Sequence, residues 1–72
     1  MIVSWTIYFK PRDNPNCYVA RRFHNDQPGA EHLVAVANSG GLEWIREHLR
    51  FAGFTRLERH PDDDHVIVET WL

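Results

Sequence analysis

The densest concentration of side chains able to do chemistry is His60-Pro61-Asp62-Asp63-Asp64-His65, two imidazoles and three carboxylates in six residues. Imidazole and carboxylate together suit zinc, manganese or iron, and His60, Asp62 and His65 are the ligands such a site would use. The spacing matches neither a zinc finger nor a helical H-E-x-x-H pair. Asp also favours turn geometry and stays solvated there. The stretch therefore reads first as a hairpin tip, and no metal or other cofactor is expected.

Asn38-Ser39-Gly40-Gly41 precedes a helical pattern, where free amides and the helix dipole can hold an anion. It lacks the glycine spacing of a dinucleotide fingerprint and the lysine of a P-loop, so capping accounts for it. Ser39 and Cys17 are the candidate nucleophiles. Each needs an oriented base, and the histidines at 24, 32, 48, 60 and 65 form no local signature. Cys17 reads more simply as a small buried hydrophobe. No catalytic residue is assigned, and an enzyme is not the expected class.

A third set is apolar. Trp44, His48 and Phe51 recur at spacings of four and three on the helical pattern, beside the stripe a core contact needs. On the strand patterns, Tyr8, Glu69 and Trp71, with Arg22 from the second strand, are expected on a sheet face turned away from the helix. Aromatics mixed with arginine are typical of recognition surfaces. The expected partner is a protein, either a second copy or another subunit. An alternative is single-stranded nucleic acid, with Tyr8, Tyr18 and Trp71 stacking bases and Arg21 and Arg22 near the backbone. A net charge of −2 and the Asp62-Asp63-Asp64 run disfavour it, because phosphate contacts carry most of such affinity.

These residues need elements to hold them. From Ile2 to Lys10, Val3, Trp5, Ile7 and Phe9 alternate with Ser4, Thr6, Tyr8 and Lys10, the period of a strand with one buried face. Pro11 to Asn16 is a turn, and Cys17 to His24 a second strand pairing antiparallel with the first. On its face sharing, Cys17, Val19 and Phe23 point inward and bring Arg21 with them; a bulge near Arg21-Arg22 would reset the alternation. Asn25 to Gly29 is another turn. Ala30 to Asn38 contains a short apolar run that period alone does not resolve, read as a short extended piece.

The helix lies within Ser39 to Phe54, with Leu42, Ile45, Leu49 and Ala52 on one stripe, Ser39 as N-cap, and Gly53 with Phe54 in a Schellman stop. Phe54 to Arg59 is a weak strand and His65 to Leu72 the last. On that last strand Val66, Val68, Thr70 and Leu72 share one face, and His65, Ile67, Glu69 and Trp71 the other.

The totals fit this outline. Seventy-two residues suit one domain, residues 1–72, with a thin core. One cysteine makes no internal disulfide, no basic leader opens the chain, and no apolar run nears bilayer length. A cytoplasmic location without membrane insertion is the expectation. The expected fold is α+β in two layers: a four-stranded, mainly antiparallel sheet covered on one face by a single helix, in the order ββ, an optional short β, α, ββ.

Overall fold

A computed structural model describes residues 2–57 and 66–72. Five strands and one helix follow in the order β1 (Val3–Phe9), β2 (Cys17–His24), β3 (Gln27–Val36), α1 (Gly41–Phe51), β4 (Arg56–Leu57) and β5 (Ile67–Trp71). The strands form one sheet in the order β3-β2-β1-β5-β4, and every neighbouring pair is antiparallel. The architecture is α+β as expected, with five strands in place of four.

The added strand is β3, ten residues long where a short extended piece was expected. Its hairpin explains the difference. Asn25 and Asp26 both adopt positive φ, 50° and 67°, as the central residues of a two-residue type I′ turn must. The turn is therefore only two residues, and Gln27-Pro28-Gly29 belongs to the strand. Proline is tolerated there because β3 is an edge strand.

Cross-strand partners share a face. Trp5 lies opposite Arg22 and Trp71, and Ile7 opposite Ala20 and Glu69. Trp5, Ile7, Ala20 and Trp71 join Ile45 and Leu49 of α1 in one buried cluster, with Tyr18, Leu33, Ala35, Leu42, Phe54 and Val68 packed around it. The inward face of β2 is thus Tyr18, Ala20, Arg22 and His24, and not the one carrying Cys17, Val19 and Phe23. The expected bulge is present as a register shift between Arg21 and Phe23, but in the pairing with β3. Toward β1 the register of β2 is unbroken, so its alternation is not reset. Val19, though on the far face, is buried, because the β1–β2 connection folds over it, with Asp13 3.7 Å from Arg21.

The ends of α1 are held differently. Its N-cap is Gly40, not Ser39, and the side chain supplying the acceptor is Asn38, whose Oδ1 takes the N–H of both Gly40 and Gly41 at 3.0 Å. A Cβ on Gly41 would lie 2.0 Å from the Val36 carbonyl oxygen. Gly41→Ala is accordingly expected to cost about 3 kcal/mol in urea unfolding, since backbone has to shift to admit the methyl. At the other end Gly53 takes φ +93°; its N–H bonds Arg50 O and the Phe54 N–H bonds Leu49 O, both at 3.0 Å. That is the expected Schellman stop. It turns Phe54 back to meet Trp5 edge-on, ring centres 6.3 Å apart.

Candidate surface on the helix flank

Ile45 and Leu49 fix which side of α1 points into the core. At 3.6 residues per turn, Arg46 and Arg50 lie roughly 80–120° to one side of that direction, and Trp44, His48 and Phe51 roughly 80–140° to the other. The first flank looks along the sheet toward β5. Arg46 donates to Glu69 Oε1 from Nε at 3.0 Å and from Nη2 at 2.6 Å, and the Arg50 guanidinium sits 6.0 Å from the centre of the Trp71 ring. Because β3 and β5 lie on opposite sides of the β2–β1 pair, the second flank looks toward the free edge of β3.

That second flank is apolar and open. Phe51 is 97% exposed and Trp44 46%. The Trp44 and His48 rings pack together tilted at 44°, with centres 4.1 Å apart, and His48 Nδ1 lies 3.0 Å from the Trp44 carbonyl oxygen. A carbonyl only accepts, so Nδ1 carries the proton in that bond. This bond and the ring contact hold His48 against the indole. Glu47, His48, Phe51 and Ala52 line a shallow depression alongside. The three residues of the aromatic stripe expected from the sequence lie on this one flank of α1.

The other expected members are elsewhere. Glu69 and Trp71 were expected on the face turned away from the helix; they are buried instead, at 4% and 2% exposure, on the side of Trp5 and Ile7. The register shift between β1 and β5 at Ile7/Tyr8 is the reason. It lets Val68 pack on the core without taking the place of Glu69 and Trp71. Glu69 is fully engaged, its second oxygen accepting the Trp71 Nε1–H at 2.7 Å. Arg46 in turn has its pKa raised, chiefly by the hydrogen bond to Glu69 and against the opposing pull of burial. Arg22 is half-buried and paired with Glu31 at 2.6 Å. Tyr8 lies on the opposite face, in a depression with Pro11, Arg12, Asp13, Val19, Arg21 and Val66. Seven candidates thus resolve into three that share a surface and four that do not.

His60, Asp62 and His65 lie outside the described residues. Among the described residues no group of three His, Cys, Asp or Glu side chains is placed to hold a metal ion, and no helix is long and apolar enough to cross a membrane. Neither a protein-family model nor a curated protein nor a solved structure matches the chain. The functional reading therefore rests on the molecule's own surface.

Proposed function

We propose that this protein acts by association with another protein, as a homodimer or as an accessory subunit, through the Trp44-His48-Phe51 flank of α1. One observation carries the reading: an almost fully exposed phenylalanine shares a flank with a half-exposed tryptophan on a helix whose other side packs into the core. Single exposed apolar residues are ordinary. A packed Trp–His pair on the same helix flank as a bare Phe is an anchor of the kind that dominates interface energetics.

The nucleic-acid alternative has less support, because Trp71, its strongest stacking residue, is 2% exposed and cannot receive a base. Base stacking needs an accessible ring face.

The tryptophans supply a direct test. Trp5 and Trp71 are buried and Trp44 is not, so iodide quenching of intrinsic fluorescence reports chiefly on Trp44. Quenching is expected to fall as protein concentration, or a co-purifying subunit, is raised. Phe51→Glu is expected to retain the quenching at every concentration while shifting the thermal midpoint by no more than about 4 °C, the usual scale for a surface change. Full quenching of wild-type Trp44 under all these conditions overturns the reading.

A further inference from the structure

We infer that the partner is a second copy of this chain, joined along the outer edge of β3 in an antiparallel, two-fold pairing that continues the sheet from one subunit into the other. The inference rests on the association reading above and adds the partner, the element and the register.

Backbone hydrogen bonds show what the edge offers. Lys10 N–H bonds Cys17 O, and Asn25 N–H bonds Ile2 O, so the odd-numbered residues of β2 face β1. Ala37 N–H bonds Asn16 O, so the even-numbered residues of β2 bond the odd-numbered residues of β3. By the alternation of an antiparallel ladder, His32, Val34 and Val36 turn their backbone groups away from β2. One of those outward carbonyls is already engaged, and so is the Ala30 carbonyl two residues before His32. Val36 O accepts Asn38 N–H at 2.8 Å, and Ala30 O lies 3.1 Å from His32 Nδ1. The N–H and C=O of both His32 and Val34 remain turned outward, and among the described residues no strand pairs with that side of β3. Such a row is a template for another strand.

The same edge suits itself. A two-fold axis at Leu33 sets Val34 opposite the partner's His32 and His32 opposite the partner's Val34, giving four backbone hydrogen bonds. Moving the axis one residue to Val34 would aim the His32 N–H at a Val36 carbonyl already taken by Asn38. With the axis at Leu33, Glu31 falls opposite the partner's Ala35, so no like charges meet. An interface built on one patch meeting its own copy is the usual form of a dimer.

The helix makes the second, independent argument. Of the strands, α1 lies nearest β3 and β2, and its Trp44-His48-Phe51 flank faces the β3 edge. Extending the sheet across that edge sets the two helices side by side above the seam. At about 4.8 Å per strand their axes are roughly 10–15 Å apart, a gap that large aromatic side chains fill beyond the 8–10 Å of ordinary helix packing. The unsatisfied edge and the bare aromatics point the same way. One symmetry operation satisfies both.

Val34→Pro tests the edge without touching the internal ladder, because the N–H it removes points outward. Light scattering across a dilution series is expected to show a wild-type dimer and, for Val34→Pro, a dissociation constant raised at least about tenfold, with an unchanged circular dichroism spectrum. In the wild-type dimer the His32 and Val34 amides are expected to exchange with deuterium slowly, and to become fast on dilution. If Val34→Pro fails to fold, those two amides decide the matter alone. A wild-type dimer whose His32 and Val34 amides exchange freely, or which Val34→Pro leaves intact, overturns edge pairing while leaving association through the helix flank standing. A wild-type monomer throughout overturns the inference, and Trp44 quenching by a co-purifying subunit then judges the association reading separately.

Discussion

Leu49→Asp is expected to abolish the cooperative thermal transition, whereas Trp44→Ala, five residues earlier on the same helix, folds normally and loses association. Leu49 is 1% exposed within the cluster that joins α1 to the sheet. Removing a buried leucine side chain alone costs about 2–5 kcal/mol. A carboxylate placed there adds several kcal/mol more, since the described residues of that cluster are apolar. At roughly 0.05–0.15 kcal/mol per residue a chain this short has about 4–11 kcal/mol in all. The substitution exhausts it. Trp44 projects from the other side of the helix, and its truncation removes little that the folded monomer buries. Far-ultraviolet circular dichroism on both variants, with light scattering on Trp44→Ala, separates the two roles. Loss of fold in both would place Trp44 in the core.

The contrast shows what the sequence could reveal. The helix was legible in detail because its signals are local: Leu42, Ile45 and Leu49 at helical spacing, and Gly53 where a left-handed residue is required. The first strand was legible for the same reason. Two errors have one cause, that facing depends on a partner strand the sequence does not show. Trp71 and Glu69 looked outward because Val66, Val68 and Leu72 made the more apolar alternate face. The register shift against β1 allows Val68 and Trp71 to reach the core together, which strict alternation forbids. The length of β3 was hidden because Leu33, Val34, Ala35 and Val36 are apolar on both faces, so no period marks them. Its one local clue was Asn25-Asp26, a pair suited to positive φ and hence to a hairpin without slack. The N-cap shifted by a single residue, from Ser39 to Gly40, and the side-chain acceptor came from Asn38, since Ser39 and Asn38 both offer an oxygen and only the backbone path selects between them. Of the candidate surface, the helical stripe was legible and the sheet contribution was not. The free edge of β3 had no signal beyond the strand itself.

Glu69 carries the second large effect, and its outcome depends on which partner is removed. Arg46→Met is expected to destabilise by about 3–5 kcal/mol, because among the described residues a buried carboxylate loses the cation paired with it and keeps the Trp71 N–H. Glu69→Leu is expected to cost less, about 2–3 kcal/mol. Arg46 is not sealed in, its side chain being 22% exposed, and it keeps Glu43 at 2.5 Å as a second acceptor. The penalty that remains is the unmet Trp71 indole N–H, buried beneath α1, and the partial desolvation of the guanidinium. Combining the two substitutions removes both charges, and well-packed apolar replacements for a buried ion pair are often neutral. The double variant is therefore expected within about 2 kcal/mol of wild type, far from the sum of the single changes, with the residual cost assigned to the indole. Urea unfolding of all four proteins measures the coupling. Additive losses would mean that Arg46 and Glu69 act independently, and that the two short contacts between them contribute nothing to holding α1 against β5. A strongly negative coupling would mean that the pair orients the helix: it ties one flank to β5, and so leaves the Trp44-His48-Phe51 flank turned toward the edge of β3.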